Sequence, residues 1–368
     1  MEAQVAAALE VKDYQQVSRL LKQWQMSEPT NPLLRLYAAQ LQESTNRLEA
    51  AEKNYLTLLK QAPSSRMMSQ ARAGLGRIRV LIQQRRSQQK AEALEQARQI
   101  SGGNEIAVLA IASPPPTHRQ VAIEAIANVF NLDPYTARMK VPTSGLRLHR
   151  IGPWGEVRYY AAAIEKHLEP PLGKAYAPAT IAAKVADIQA LQTFQISYFE
   201  LLSPRPSVVC KNVNGQLGTL CFDWSEVAQR VNGQLPIFEQ VVDLGPWGKT
   251  VHREEVQDYA QVIDFHLPGR QVVLRVCDRL YQYKKGVSLT SQRELNSRIQ
   301  WNQLLKILSQ STHAPQHNDF TRFGKGTLEF IDLLPTIQAN LDLARRAPSD
   351  WDQAFHLYSS LCYFNVRT

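Results

Sequence analysis

The chain has 368 residues, 44% hydrophobic and 20% charged, which gives room for two or three domains that each bury a core. Its net charge of +9 admits an acidic protein, nucleic acid or an anionic membrane surface as partner without choosing among them. The longest strongly apolar run, residues 106–112, is far short of the roughly 20 residues a membrane span needs, and Met1-Glu2-Ala3-Gln4 does not open a signal peptide. Cys210, Cys221, Cys277 and Cys362 lack C-x-x-C and zinc-finger spacing, so four buried or half-buried free thiols in a cytoplasmic protein are expected, with no metal and no cofactor.

Residues 1–100 read as helical and contain a repeat. Tyr14 and Leu48, Val17 and Ala51, Leu21 and Tyr55, Trp24 and Leu58, and Pro29 and Pro63 are each 34 residues apart. Small Ala38, Ala39, Ala50 and Ala51 would let paired helices approach closely, and the prolines would stop them. With these features, residues 3–82 resemble a tetratricopeptide repeat array, a third copy opening at Ser69. Residues 66–90 carry Arg66, Arg72, Arg77, Arg79, Arg85, Arg86 and Lys90 and no acidic residue. Such a run is either a solvated helix face or a landing strip for an acidic partner or for phosphates. Residues 83–99 read as an exposed helical linker ending at Ser101-Gly102-Gly103.

A second module starts with a buried strand over 106–112, stopped by Pro114-Pro115-Pro116. Thr117 is expected to cap a helix with Val121, Ile123, Ile126 and Phe130 in its core face, and Asp133-Pro134 to cap a shorter helix through Lys140. A strand over 146–151, a helix over 156–168 and one more strand before Ser197 complete a βααβαβ order. That order is similar to the C-terminal domain of the bacterial ribosomal stalk protein and to the small adaptor of the Clp protease. The similarity implies partner binding rather than chemistry.

In the third module Val213-Asn214-Gly215-Gln216-Leu217 recurs as Val231-Asn232-Gly233-Gln234-Leu235. The first copy lies between two β-rich runs, so Asn214-Gly215 predicts a tight hairpin turn that pairs Val213 with Gln216 and sets Cys210 opposite Thr219. The second follows Asp223-Trp224-Ser225-Glu226, a capping box, which predicts a short helix carrying Trp224, Val227 and Val231 and ended by Gly233. A strand over 237–244 would follow, with Phe222, Trp224 and Phe238 in the core. Gly-Pro-Trp-Gly stands at 152–155 and again at 245–248, each time after a predicted strand. It predicts a turn whose Trp154 or Trp247 covers a strand end, a duplicated module, or a paired binding surface.

Residues 251–263 read as an edge strand, 267–270 as a turn and 271–283 as a strand. Three helical stripes end the chain: Leu295, Ile299, Leu305 and Leu308; then Leu328, Ile331, Leu334, Ile337 and Leu341 with a kink at Pro335; then Trp351, Phe355, Tyr358 and Cys362, with a capping box at 349–352. No recognised catalytic motif appears. Gly324-Lys325-Gly326-Thr327 lacks the phosphate-loop frame. Asp264 and His266 alternate on a strand, with Cys277 on the next. They make either a metal or acid–base site or a polar edge with one satisfied histidine. Tyr281, Tyr283, Lys284 and Lys285 could stack bases and hold phosphate, without an RNA-binding signature.

The helical start, together with Asp223-Trp224-Ser225-Glu226-Val227, residues 236–243, Asp258-Tyr259-Ala260-Gln261 and Arg345-Arg346-Ala347-Pro348, resembles a cyanobacterial family of tetratricopeptide-repeat proteins. The resemblance implies a cyanobacterial cytoplasm, with the cytoplasmic face of the thylakoid as a variant, and no activity. The expected fold class is α+β: N-terminal tetratricopeptide-like helical repeats over 1–100, a βααβαβ module over 104–200, a β-rich module over 201–287, and C-terminal helices over 288–368 packing on it. The expected function is a non-enzymatic interaction scaffold or assembly factor, for instance of a photosynthetic complex. Its partner is an acidic protein surface met by Arg66, Arg72, Arg77, Arg79, Arg85, Arg86, Trp154 and Trp247. Nucleic-acid binding by the basic helical stretch is the alternative.

Overall fold

Amphipathic stripes broken at capping residues build the first part of the chain. The computed structural model describes residues 1–61, 64–172, 180–244, 250–289, 296–345 and 349–367, which divide into a unit Met1–Gln96 and a unit Ala97–Thr368. The first holds α1 (Glu2–Glu10), α2 (Tyr14–Ser27), α3 (Pro32–Ser44), α4 (Leu48–Gln61) and most of α5 (Ser65–Gln99). Asp13 accepts from the Gln16 N–H at the start of α2, and Asn31 accepts from Leu33 N–H before α3, where Pro32 takes the first turn. Helices α2 and α4 are 14 residues long and start 34 apart. Val17, Leu21 and Trp24 are buried, as are Ala51, Tyr55 and Leu58 at the equivalent places.

Two expectations for this unit are corrected. Ala39 and Ala51 are fully buried, but Ala50 faces solvent, one residue off the apolar stripe. No new helix opens at Ser69, because α5 runs unbroken from Ser65 and sets Ala71, Leu75 and Ile78 against the α4 core. The two helices approach so closely that a Cβ on Gly74 would stand 2.4 Å from the Tyr55 ring. No residue of α5 from 83 to 99 is buried.

The second unit has two sheets. The smaller is antiparallel, in the order β2-β1-β3, from β1 (Ile106–Ala112), β2 (Leu146–Pro153) and β3 (Thr180–Lys184). With it go α6 (Arg119–Phe130), α7 (Pro134–Lys140), α8 (Trp154–Leu172) and α9 (Val185–Ala190). Thr117 does not cap α6: it lies inside a 3-10 turn, Pro116–His118, that precedes the helix. Nor is 152–155 a turn. Strand β2 runs through Pro153 and α8 begins at Trp154, whose backbone N–H donates to Glu105 O at 2.7 Å, while Gly155 N–H donates to Gly103 O at 2.9 Å. Gly155 is required by this approach, since a Cβ there would stand 1.9 Å from Ala97 O.

The larger sheet is mixed, ordered β10-β7-β8-β9-β4-β5-β6. Its strands are β4 (Gln192–Leu201), β5 (Ser207–Lys211), β6 (Leu217–Cys221), β7 (Gln229–Leu244), β8 (Thr250–Leu267), β9 (Val272–Cys277) and β10 (Gln316–His317). Alternation along the strands gives it two apolar faces. Ile263, Phe265, Leu274 and Val276 pack under α10 (Ser297–Ser311) through Trp301, Leu304 and Leu308. Val231, Leu235, Ala260 and Val262 pack under α11 (Phe320–Thr327) and α12 (Asp350–Arg367), whose far sides reach Val108, Ala110, Leu146 and Leu148 of the smaller sheet. Helix α12 is thus a central layer, which explains why Phe355, Leu357, Tyr358 and Leu361 are all buried.

Several sequence expectations change here. The first hairpin uses a longer loop, in which Asn212 N–H donates to Gln216 O and Gly215 alone takes a positive φ, +76°. The register therefore sets Cys210 opposite Gly218, not Thr219. Cys221 lies exposed on the edge strand β6, whereas the other three thiols are buried. The second Val-Asn-Gly-Gln-Leu belongs to β7, not to a helix end, and the predicted helix is a single 3-10 turn, Trp224–Glu226, closed by its capping box. Gly233 is needed because a Cβ would stand 2.4 Å from the Phe355 ring. Residues 251–260 are an edge as expected, paired with β7 alone, whereas from 262 to 266 β8 pairs with both β7 and β9; 237–244 with 250–258 form a two-stranded ribbon on which Phe238 is exposed.

Strand β9 stops at Cys277, six residues before the expected end. On α10 the buried stripe is Trp301, Leu304 and Leu308, whereas Ile299 is exposed and Leu295 lies outside the described residues. The second expected helix, 328–341, is only a 3-10 segment, Leu328–Leu333, that follows α11, and 334–341 form neither helix nor strand; Leu334, which precedes Pro335, is extended at φ −96°, ψ 144°. Asp352 accepts both of its bonds from Arg345 rather than completing a capping box. Among the described residues no helix is long and apolar enough to cross a membrane.

Candidate functional site: an arginine-lined groove

Helix α7 shows how the groove is built. Asp133 accepts from the N–H groups of Tyr135 and Thr136, and Pro134 fixes the first turn, so a seven-residue helix holds its shape with little burial. It presents Tyr135 at 74% exposure and Met139 at 59%, with Arg138 between them. Facing it are Arg119 from α6, Arg147 from β2, and Arg322, Phe323 and Gly326 from α11, around a cavity of about 510 Å³. Val141, Pro142, Leu146 and Phe323 are its buried apolar floor.

The guanidinium groups are held without being used up. Arg119 donates to Pro142 O at 2.7 Å and Val141 O at 3.0 Å. Arg147 donates to Met139 O, and Arg322 to the Thr143 and Ser144 hydroxyls. These neutral acceptors leave each guanidinium with N–H groups to spare and its full charge. Arg138 has no hydrogen-bond or ion-pair partner among the described residues, and no carboxylate lines the groove. The positive field reaches His149 behind it: burial, then Lys140, Arg147 and Arg150, push that imidazole down to about 4. Gly326 is open space, with nothing within 4 Å of a Cβ placed on it.

None of these four arginines was singled out from the sequence. The signal was present: residues 134–155 carry Arg138, Lys140, Arg147 and Arg150 and no acidic residue, the pattern also seen at 66–90. The latter set lies on α5 in the first unit. Arg77 makes a two-point ion pair with Glu43, at 2.7 and 3.0 Å, to which the Tyr55 hydroxyl also donates, so it serves the helix packing. Arg79 approaches Glu52 at 3.7 Å. Arg66, Arg72, Arg85 and Arg86 are exposed. Trp154 is half-buried, with Lys184 and Arg158 each 5.7 Å from its ring centre. Trp247 lies outside the described residues.

The other chemical candidates resolve into structure. Asp264 and His266 are completely buried on the α12 face of β8. Arg275 donates to both Asp264 oxygens, at 2.8 and 2.6 Å, and Ser359 donates its proton to Asp264 at 2.5 Å. His266 Nε2 must then donate to Ser359 Oγ at 2.9 Å, leaving Nδ1 to accept from the Gln229 amide at 2.7 Å. The hydroxyl proton points at the carboxylate and not at the imidazole, the reverse of what an activated serine needs. Burial would raise the Asp264 carboxyl, but Arg275 outweighs it and holds the group below the usual range; burial pushes His266 down to about 3. Among the described residues no group of three metal-binding side chains occurs. The Tyr281 and Tyr283 hydroxyls bond Phe199 N–H and Asp278 O, and Tyr281 is buried, so these rings are not laid out for base stacking. Gly324 is helical in α11 and packed on Trp351, with no phosphate loop. No protein-family model matches the chain, and neither a curated protein nor a solved structure does.

Proposed function

We propose that the protein is a non-enzymatic interaction protein, of the scaffold or assembly-factor kind, whose groove takes up an acidic segment of another protein. The observation that carries this reading is the set of four arginines over an apolar floor, three of them aimed by neutral acceptors and Arg138 left unpartnered among the described residues. Exposed ion pairs contribute only about 0.2–1 kcal/mol each, so charge alone gives a weak complex. One large apolar side chain covering ~100 Å² of floor adds about 2.5 kcal/mol. The favoured ligand is therefore a short segment with several carboxylates around one aromatic or leucine anchor. On the same reading the first unit is a tetratricopeptide-like array, its 34-residue spacing of α2 and α4 supplying the helix pairs of such a scaffold.

Nucleic-acid binding is kept as a second reading because Arg72, Arg79 and Arg86 recur every two turns along one side of α5. Fluorescence anisotropy separates the two. A labelled peptide of alternating Glu and Phe should bind the intact protein at low salt, weaken as salt is added, and lose binding in Arg138→Glu/Arg147→Glu but not in Arg72→Glu/Arg86→Glu. A labelled single-stranded oligonucleotide that binds while the peptide does not, and that depends on the α5 pair, would replace the first reading with the second. Absence of peptide binding at low salt would end it.

A further inference from the structure

A second site lies on the α10 face of the larger sheet, independent of the groove. Strand alternation puts Arg230, Asn232 and Gln234 of β7 on one face, beside Ile263 and Gln261 of β8. Arg230 is 6% exposed. Its Nε donates to Asn232 Oδ1 at 2.8 Å, and its two terminal nitrogens have no partner among the described residues. Burial alone pushes its pKa down, with no neighbouring charge contributing. The other deeply buried arginines differ: Arg275 has both oxygens of Asp264, and Arg345 has Asp352. Those two nitrogens are not among the fully enclosed polar atoms, so they open on the cavity beside them; a largely buried guanidinium that faces a cavity without an anion is a pointer to a missing ligand.

Arg230 lines a cavity of about 400 Å³ whose other polar residues are neutral, among them Asn232, Gln234, Gln261, Asn318 and Thr321. Asn232 is tied to Asn318 across the wall, and Gln261 accepts from the Trp301 indole at 2.8 Å, which leaves its amide N–H₂ as donor. Leu305 and Ile263 supply an apolar side. We propose that this pocket binds a small-molecule monocarboxylate. The two free nitrogens of Arg230 match the two oxygens of a carboxylate. One cation among neutral amides balances one negative charge, so a doubly charged phosphate fits less well. The amides take polar substituents, and Leu305 and Ile263 take an apolar body.

Hexanoate and benzoate serve as probes on the full chain, with hexanamide, benzamide and inorganic phosphate as controls, read by thermal shift and by the fluorescence of Trp301. The acids should raise Tm to a plateau where the amides do not, with phosphate weaker. Arg230→Met should abolish the effect and leave the unliganded protein at least as stable, because it removes an unpaired buried charge. Arg230→Lys, which keeps the charge and loses the fork, should weaken binding about tenfold. Thr321→Trp, at an exposed position on the pocket wall, should block binding with Arg230 intact and reports if the Arg230 variants fail to fold. Acid and amide acting alike, no saturable shift with either acid, or full binding in Arg230→Met or Thr321→Trp would overturn the proposal.

Discussion

Two regions of the second unit concentrate charge, and they differ in whether the charge is satisfied. On the α12 face, Asp264, Arg275, Ser359, His266 and Gln229 form a sealed chain in which one group's donor meets the next group's acceptor. In the groove, Arg119, Arg138, Arg147 and Arg322 meet carbonyls and hydroxyls or nothing, and stay open to solvent. The first arrangement fixes the packing of a central helix and has nothing left to offer a ligand. The second is inexpensive to fold and leaves binding capacity unused.

The largest expected effect breaks the sealed chain. Asp264→Ala strands the fully buried Arg275 charge and should cost about 3–5 kcal/mol of stability, read as a fall in urea midpoint; a loss under about 1 kcal/mol would mean that water or another group reaches Arg275. Gly233→Ala drives a methyl into the Phe355 ring, 2.4 Å away, and should cost about 1–3 kcal/mol, whereas Gly326→Ala in the open groove should leave stability within about 0.5 kcal/mol of wild type.

The next test is pH. Burial holds His266 and His356 at about 3, below the ordinary 6.5 of the unfolded chain. Between those values the unfolded chain binds more protons, so stability should fall as pH drops below about 6.5 and keep falling toward 3. Asp264, also depressed, acts in the same direction at the acid end of that window. A urea midpoint unchanged between neutral pH and about pH 4.5 would show that these imidazoles titrate freely. The smallest expected effect lies in the groove, where Arg138→Ala should change stability by less than about 0.5 kcal/mol, while reducing the affinity for the Glu/Phe peptide and the steepness of its salt dependence.

The same contrast explains what the sequence could reveal. The 34-residue recurrence at Val17 and Ala51, or Leu21 and Tyr55, was legible because each helix buries a stripe against its neighbour in sequence, and the last helix was legible from Phe355, Tyr358 and Cys362 for the same reason. Gly233 was misread because its local signal, a capping box that opens eight residues upstream of Val231, is genuine but closes only one turn; the long pairing of β7 with β8 then decides the backbone. Leu334 and Ile337 are buried as their spacing suggests, yet Leu334 is extended ahead of Pro335 and their segment is not helical. Asp264 and His266 were correctly placed on one face, but Ser359, 95 residues from Asp264, was out of reach. The groove draws on four separate elements and carried only one faint mark, the absence of acid over 134–155.

The most direct measurement is a crosslinking map. An acidic peptide with a benzophenone in place of its apolar anchor, photolysed with the intact protein at low salt, should give adducts within residues 135–147 and 322–326, and these should disappear in Arg138→Glu/Arg147→Glu. Adducts confined to residues 66–90 of α5, or unchanged by that double substitution, would contradict the assignment of binding to the groove.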